Sequence, residues 1–464
     1  MLSDPIKKIL TLAIPMILAN LSQPLLGLVD TAVLGHLDSP AFLAGAAVGA
    51  FFISQLLWIC GFLRMSMTGL SAQSFGLFNA AIAREADTQQ HTHQSTSIQT
   101  NTPNIGRLDD LSRACIIAMI LGMGLMLASP FWLELLFGWT TLSGLAAQSL
   151  SDYVVIRFYN VPIALLNLVL IGYLVGQQQA RLVMTIQIVG NALNIALNLV
   201  LAVYLDMAVK GVAYATVIAE WAMLLMALSG IYSATIKAPH LASFALFSEQ
   251  WRTLAKFKRI LSLNRDLFLR SIFLQGCLAF VTYRGARYGV TEAAVNAILM
   301  QFFIIIALGL DGIAYAIEAV VGESEGKTDK RQRWRYIIAS IQCSTVLGIV
   351  FCFIFAFGFD QILHLLTAQS NIISAAQAYY WIILALPLIA HWCYCLDGIY
   401  IGLTRGDVMR NSMFISALFG FMGVYVLTSQ YDNMALWFAL LGLQAMRGIT
   451  LGWHLKRHYS ISSY

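Results

Sequence analysis

Long stretches without a charged side chain are the feature of this sequence that most limits its fold. Asp, Glu, Lys and Arg are absent from residues 9–29, 39–63, 158–180, 182–205, 336–359 and 361–396. Each stretch reaches the roughly 20 residues that a helix needs to cross a bilayer core. Only 11% of the residues are charged, whereas a soluble protein carries about 25%. The sequence therefore predicts a polytopic membrane protein and argues against a cytosolic enzyme.

Apolar runs between polar breaks predict an all-α protein with twelve transmembrane helices. The predicted spans are residues 9–36, 42–69, 114–138, 153–179, 182–205, 211–233, 267–288, 293–320, 336–359, 374–402, 409–428 and 433–455. When the loops are assigned to alternate sides, most of their Lys and Arg residues share the side of both termini. Only Lys210, Arg284 and Arg287 fall on the other side. The positive-inside rule therefore predicts that both termini are cytoplasmic.

The twelve spans divide into two halves that resemble each other. The fourth span carries Pro162 followed by GYLVG (172–176), and about 225 residues later the tenth carries Pro387 followed by GIYIG (398–402). Two six-helix halves of the same orientation predict a pseudo-twofold axis along the membrane normal, as in many transporters. The predicted domains are an N-lobe at 1–235, a cytoplasmic loop at 236–266 and a C-lobe at 267–464.

Residues 79–110 form a polar insert in the N-lobe that includes EADTQQHTHQSTSIQTNTPN. The segment has too few large apolar residues to fold alone, so a disordered cytoplasmic loop is predicted. His91 and His93 raise the alternative of metal binding, which this composition favours less.

Asp30 is the most informative ionisable residue, because it follows the uncharged run 9–29 and has no Lys or Arg nearby in the sequence. Ionisable groups inside a membrane span are costly and usually functional. A carboxylate removed from water holds a proton more readily, which suits Asp30 to proton binding and release. Pro15 and Pro24 in the same span each remove a backbone donor and predict kinks. The alternative is that water at the outer interface solvates Asp30.

Polar residues at helical spacing accompany Asp30 in the same half. Asn191, Asn194 and Asn198 are three and four residues apart, so they share one face of a helix. The residues of neighbouring spans expected to face the same interior are Gln23, Tyr153, Asn167 and Thr216. A carboxylate among several amides is a candidate cation site, although any single amide can instead bridge two helices.

The second half has an acidic set of its own. Asp311 and Glu318 are seven residues apart, nearly on one helix face, and Asp397 follows the uncharged run before it. These three carboxylates are predicted to line a cavity for cationic substrates. The alternative is that Arg270 or Arg284 pairs with them in structural ion pairs. Weaker signals of the same kind are Glu134 and Glu220.

Sequence motifs of catalysis are missing from the chain. It contains no HExxH, no GxxxxGK[ST] phosphate loop and no CxxC pair, and its one GxSxG match, GESEG at 322–326, follows a predicted membrane span and not the strand that the nucleophile motif requires. We therefore predict that the protein is not an enzyme and has neither a cofactor nor a metal site. Because nothing resembles an ATP-binding domain, transport is expected to be driven by an ion gradient.

Four segments resemble the multidrug and toxic compound extrusion (MATE) family, and within it the DinF branch. They are IPMILANLSQPLLGLVDTAVLGHL, NALNIALN with the following GVAYATVIAE, DGIAYAIEAVVGESEGKTD, and LDGIYIGLTRGDVMRNSM. The resemblance covers nearly the whole chain and is far more specific than hydropathy. It implies two six-helix lobes that export amphipathic cationic or drug-like compounds in exchange for protons or sodium ions.

The resemblance also implies roles for individual residues. Asp30 becomes the coupling carboxylate of the N-lobe, Pro15 lies at the bend of the first helix, and Gln23 lies one to two turns before Asp30. The residues implied to line the same pocket are Tyr153, Asn167, Asn194, Asn198 and Thr216. The chain departs from the family in two places, because many relatives carry an acid where it has Asn198 and the insert 79–110 is not expected.

These observations predict a proton-coupled multidrug exporter that works by alternating access. A buried sodium ion needs several oxygen ligands, and with Asn198 in place of an acid the N-lobe pocket offers Asp30 as its one carboxylate. The expected partners are drug-like small molecules, protons with sodium ions as the alternative, and the lipid bilayer, without nucleic acid. The expected state is a monomer in the bacterial inner membrane. The alternatives are a sodium-coupled MATE exporter, a lipid-linked oligosaccharide flippase of the same superfamily, a membrane-embedded acyl or glycosyl transferase, and a major-facilitator transporter.

Overall fold

The computed structural model of the chain describes residues 3–36, 39–91, 105–236 and 254–459, and within these ranges it is helical without β-strands. Twelve helical segments in the described ranges are long and apolar enough to cross a membrane. They are Asp4–Gly35, Pro40–Arg84, Asp109–Leu127, Gly144–Gly176, Ala180–Tyr204, Ala208–Ala234, Ala255–Ala286, Val290–Gly326, Lys330–Leu366, Tyr380–Gly402, Gly406–Leu427 and Asn433–Tyr459. The predicted all-α architecture with twelve spans is confirmed.

The described α-helices follow one another along the chain. They are α1 (Asp4–Gly35), α2 (Pro40–Ile59), α3 (Phe62–His91), α4 (Ile105–Leu127), α5 (Ser129–Trp139), α6 (Gly144–Gly176), α7 (Ala180–Leu197), α8 (Ala208–Ile236), α9 (Leu254–Ala286), α10 (Val290–Gly326), α11 (Lys330–Leu366), α12 (Ser370–Gln377), α13 (Tyr380–Gly402), α14 (Gly406–Ile415), α15 (Val424–Leu427) and α16 (Asn433–Tyr459). The π-helical segments Asn198–Tyr204 and Ser416–Gly423 continue α7 and α14.

The two polar connectors predicted from the sequence lie partly outside the described residues. In the insert 79–110, α3 continues to His91 and α4 begins at Ile105, so the described flanks are helical instead of loop. Residues 92–104, which include His93, lie outside the described part. In the connector 236–266, residues 237–253 lie outside it, and α9 begins at Leu254.

Contacts between residues group the chain into two units. The N-unit is Leu18–Ile260, and the C-unit is Met1–Ile17 together with Leu261–Tyr464. The start of α1 therefore packs with the second half of the chain, whereas the sequence-based boundaries assign it to the N-lobe 1–235. Two contacts explain this packing. Lys8 Nζ donates to Glu323 Oε2 at 2.6 Å, and Ile17 lies directly against Gly312 of α10.

Each unit is built around one largely buried helix that contains a proline. In the N-unit, α6 contacts α2, α3, α4 and α8, and in the C-unit, α13 contacts α10, α11 and α16. A Cβ atom at Gly176 would lie 2.6 Å from the carbonyl oxygen of Thr68 on α3, and one at Gly402 would lie 2.8 Å from that of Glu318 on α10. The paired glycines therefore allow the same close helix approach in both units.

The two internal prolines occupy matching environments as well. Gly122 of α4 lies against the ring of Pro162, and Gly348 of α11 lies against the carbonyl oxygen of Pro387. Gly122 is separated from Gly348, and Pro162 from Pro387, by about 225 residues, which is also the distance along the chain between the two glycine motifs. The repeat predicted from the sequence is thus reproduced in how each central helix packs.

Candidate functional site

Asp30 is joined to polar residues of neighbouring helices by a continuous chain of hydrogen bonds in the N-unit. Asn198 Nδ2 donates to Asp30 Oδ1 at 2.5 Å and to Asn194 Oδ1 at 2.9 Å. Asn194 Nδ2 in turn donates to Thr216 Oγ1 at 3.0 Å. We call Asp30, Asn194, Asn198 and Thr216 the Asp30 network. The structure brings together four of the five residues predicted for cation or proton coupling.

The helix that carries the two asparagines changes its geometry at the centre of the network. Asn194 and Asn198 are four residues apart, so both lie on one face of the helix, and at Asn198 the α-helix gives way to a π-helical segment. Both side chains are fully buried, and π-helical segments occur frequently at functional sites. Asn198 Oδ1 has no hydrogen-bond partner among the described residues. The network therefore contains an unused acceptor beside Asp30.

A second polar cluster of the N-unit surrounds Glu220 of α8. Arg157 donates to Glu220 Oε1 at 2.8 Å, and Asn160 donates to Glu220 Oε2. Asn167 Nδ2 donates to the Glu220 carbonyl oxygen at 2.8 Å, so Asn167 belongs here and not to the Asp30 network. The signal for Glu220 in the sequence was weak, and neither Arg157 nor Asn160 was indicated as a site residue. An arginine inside a predicted span was the clue available.

Of the other predicted residues of the N-unit, Asn191 and Gln23 lie outside these two clusters, whereas Tyr153 lies beside Arg157 of the second cluster. Asn191 Nδ2 donates to Ser22 Oγ at 2.7 Å, and Tyr153 is buried in an apolar cluster with Val33 and Ala202. Gln23 is exposed.

Helix α1 runs through both of its prolines without interruption. It extends from Asp4 to Gly35, with Pro15 buried and Pro24 exposed. The predicted bend at these two prolines stays a prediction, because the continuous helix does not test it.

Asp397 of α13 is a carboxylate of the C-unit that is paired with two arginines. It is buried and accepts hydrogen bonds from both Arg270 of α9 and Arg447 of α16. Arg447 also donates to Gln444 Oε1 at 2.6 Å. Pairing with Arg270 is the alternative that the sequence left open, and Arg447 is a partner that sequence reasoning missed.

The two acids of α10 differ in burial. Glu318 is 1% exposed, and Asp311 is half-buried. Their predicted contribution to a substrate cavity, like that of Asp397, stays a prediction.

Comparison with known proteins identifies the family to which these residues belong. A family model described as MatE matches residues 15–89 and 267–426. The DNA damage-inducible protein F of Escherichia coli (strain K12) is 38% identical over 97% of this chain and 91% of its own length. The chain belongs to the MatE family.

Other MATE relatives agree over nearly the same length. Protein DETOXIFICATION 44, a chloroplastic protein of Arabidopsis thaliana, is 22% identical over 97% of this chain and 82% of its own length. The crystal structure of MATE in the bent conformation matches with a TM-score of 0.83 at 18% identity, covering 98% of this chain and 96% of that one. At this identity the match shows the fold.

The family assignment establishes the general activity. This MATE protein is a multi-pass membrane transporter for the efflux of multidrug or toxic compounds, and MATE proteins handle small-molecule substrates and ions. They are in general not enzymes, which argues against the membrane-embedded transferase. The family model covers Asp30 and Asp397, whereas Asn194, Asn198 and Thr216 lie between its two matched segments.

Proposed function

We propose that this transporter exports amphipathic cationic or drug-like compounds by exchange for protons, and that Asp30 binds the proton during alternating access. The observation that carries the proposal is the Asp30 network, in which one carboxylate is bonded to buried amides and a hydroxyl group without a basic partner in the chain of bonds. Protonation makes this network electrically neutral, so it needs no counter-ion inside the membrane.

Proton uptake changes the hydrogen bonds that the network can make. An ionised carboxylate only accepts, and Asn198 Nδ2 is the donor that faces it. A protonated Asp30 has one donating oxygen, which finds an acceptor if the Asn198 amide rotates and presents Oδ1. That rotation breaks the hydrogen bond from Asn198 Nδ2 to Asn194 Oδ1, so Asn194 and Thr216 must rearrange too. One proton at α1 therefore alters contacts with α7 and α8.

The same geometry favours a proton over a sodium ion. Sodium needs oxygen ligands to replace its lost hydration, but Asn198 turns its NH2 group toward Asp30. Asn194 Oδ1 and Thr216 Oγ1 already accept hydrogen bonds within the network. A proton requires no such coordination shell.

The C-unit supports placing the coupling at Asp30. Two guanidinium groups already balance the charge of Asp397. A proton on Asp397 would leave two buried arginines with weakened pairing, which is costly in a membrane interior.

Transport in proteoliposomes tests the coupling. Asp30→Asn keeps the size and hydrogen bonding of the side chain but cannot titrate, so we expect ethidium transport driven by an imposed pH gradient to be lost. The matched control is Asp360→Asn, which changes an exposed carboxylate of α11 and should transport as the wild type does. Transport by the wild type under a sodium gradient at equal pH would contradict proton coupling.

We further propose that the protein is a monomer in the bacterial inner membrane with cytoplasmic termini. The distribution of basic residues supports this orientation. The helix ends on the side of the chain termini carry Lys8, Lys327 and Arg405, and the helix ends on the other side carry Lys210 and Arg287. Single cysteines in the connector 236–266 should react with membrane-impermeant thiol reagents only after cells are opened. Labelling in intact cells would overturn the orientation.

A further inference from the structure

An open cavity of about 550 Å³ lies in the C-unit, away from the Asp30 network. It is formed where α9 ends and where α10, α13 and α16 begin, with α12 along one side. The lining residues that concern the argument are two carboxylates, three tyrosines and one amide: Glu292, Asp432, Tyr288, Tyr379, Tyr431 and Asn433. We call it the tyrosine cavity.

We propose that the tyrosine cavity binds an amphipathic organic cation. Carboxylates attract a cation over a distance, and the faces of aromatic rings stabilise a poorly hydrated ammonium or phosphonium group at contact. A volume of this size accommodates a drug-sized molecule. Among the described residues, no three His, Cys, Asp or Glu side chains are grouped so as to hold a metal ion. The two carboxylates of the cavity therefore fit an organic cation better than a metal.

Basic residues near the cavity already interact with tyrosine side chains. Among the described lining residues there is no Lys or Arg. Arg284 Nε donates to Tyr425 Oη at 2.9 Å, and its guanidinium lies 5.1 Å from the ring centre of Tyr288. The guanidinium of Arg287 lies 6.0 Å from the ring centre of Tyr283. One face of Tyr288 is thus already used by a cation, and Tyr379 is buried, so the exposed ring of Tyr431 is the one most open to the ligand.

The floor of the cavity is held in place by buried hydrogen bonds. Asn433 Nδ2 donates to Tyr379 Oη at 2.8 Å and to Asn296 Oδ1 at 3.0 Å. Trp437 Nε1 donates to the same Asn296 oxygen at 2.8 Å. Tyr379, Asn433 and Asn296 are all buried, so the ring of Tyr379 is positioned before any ligand arrives. Such preorganisation lowers the cost of binding.

The N-unit has a cavity at the corresponding helix ends, and its charge is different. It has a volume of about 190 Å³, and Met207 and Ala208 line it at the positions that Asn433 and Met434 take in the C-unit. Its Lys210 and Asp152 form an ion pair at 3.5 Å. The fold therefore does not require unbalanced carboxylates at this place, since only the larger cavity has them.

The cavity lies at the helix ends opposite those that carry the chain termini. With cytoplasmic termini, it faces the outside, where an exported cation leaves the protein. This assignment of the side rests on the proposed orientation, whereas binding itself does not. A cationic nitrogen could also be offered by the headgroup of phosphatidylethanolamine, so the experiment must separate a free cation from a lipid.

Cysteine labelling of the full-length protein in lipid-free detergent micelles tests the site without any gradient. Ala378 lines the cavity and is exposed, so Ala378→Cys reports on it, with labelling of the native cysteines measured in the parent protein. A thiolate reacts faster with a cationic than with an anionic reagent even in free solution, so the ratio of the two rates at each cysteine is divided by the ratio for a small thiol. For a trimethylammonium methanethiosulfonate and its anionic sulfonate analogue, we expect this normalised preference to be about tenfold at Ala378→Cys. Glu292→Gln with Asp432→Asn should abolish this preference. A ratio at Ala378→Cys equal to that of the small thiol would overturn the proposal.

Two controls make the result specific. Gln148→Cys lies in the N-unit cavity and should show only the ratio of the small thiol, because Asp152 and Lys210 compensate each other. Asp206→Asn, at a turn with φ 52° that matches the φ of 50° at Asp432, should not alter labelling at Ala378→Cys. An equal effect of Asp206→Asn and Asp432→Asn would show that the cavity charge is not responsible.

The class of ligand is identified by which added compound protects the cysteine of Ala378→Cys from labelling. Tetraphenylphosphonium should slow the labelling of Ala378→Cys in micelles at least fivefold, also in the Asp30→Asn variant that cannot couple transport. Replacing Tyr431, whose ring packs against Phe438, by Leu should weaken the protection about threefold, and by Phe should not. Protection by added phosphatidylethanolamine but not by tetraphenylphosphonium would assign the cavity to a lipid headgroup and overturn a drug-like cation as the ligand.

Discussion

Asp30 of the N-unit and Asp397 of the C-unit lie in units built on the same plan, but their partners carry different charges. Asp30 is bonded to the neutral amide of Asn198, whereas Asp397 accepts from the guanidinium groups of Arg270 and Arg447. A carboxylate with neutral partners can gain or lose a proton at limited cost, and one between two fixed cations cannot. The repeated architecture thus has an acid bonded to a neutral amide in one copy and an acid between two arginines in the other.

The largest expected effect is on stability and comes from removing the charge of Asp397. Asp397→Asn leaves two buried guanidinium groups without their anion, and breaking a buried pair in this way costs about 3–5 kcal/mol. Asp30→Asn should change the free energy of unfolding by less than about 1 kcal/mol, since neutral partners remain bonded to an amide. Thermal unfolding in detergent measures both. Equal stability of the two variants would remove the distinction between the two acids.

The second expected effect concerns the ion pair between Arg157 and Glu220, which shares the N-unit with Asp30. Replacing either residue by Gln should cost about 3 kcal/mol, because the other is left as an uncompensated buried charge. The double variant should be clearly more stable than the sum of the two losses predicts. Additive losses in unfolding experiments would show that the two charges do not depend on each other. The pair would then no longer resemble Asp397 and its arginines.

Some of these features were predictable from the sequence and others were not. Helical spacing alone placed Asn194 and Asn198 on one face, and the uncharged run before Asp30 marked it as unusual. Both signals are local, so the periodicity of a helix is enough to read them.

The features that the sequence did not reveal depend on packing between distant segments. Arg447 reaches Asp397 from another helix, and Asn167 turns toward the backbone of Glu220 and not toward Asp30. The packing of Met1–Ile17 with the second half and the meeting of four helix ends at the tyrosine cavity are equally non-local. Hydropathy cannot determine which faces of two helices meet.

The third expected effect is a change of coupling ion. Asn198→Asp places a second carboxylate at hydrogen-bonding distance from Asp30. Two acids at such a distance share one proton or bind a cation between them, because both cannot remain ionised alone. We expect sodium-driven ethidium transport at equal pH to appear in this variant and to be absent from the wild type. Asn198→Ala is the control without a charge, and it should gain no sodium response.

The smallest expected effects distinguish the far end of the Asp30 network from a polar contact beside it. Thr216→Val removes the hydroxyl that accepts from Asn194, so Asn194 loses one fixed orientation and proton-driven transport should fall about tenfold, which corresponds to the roughly 1.4 kcal/mol of one hydrogen bond. Asn191→Ala removes a bond to Ser22 of α1 that is not part of the chain leading to Asp30. Its transport rate should stay within about twofold of the wild type, after correction for the amount of folded protein. If Asn191→Ala reduced the rate as strongly as Thr216→Val, the coupling would depend on how α1 packs against α7 in general, and the distinction between the network and its neighbours would fail.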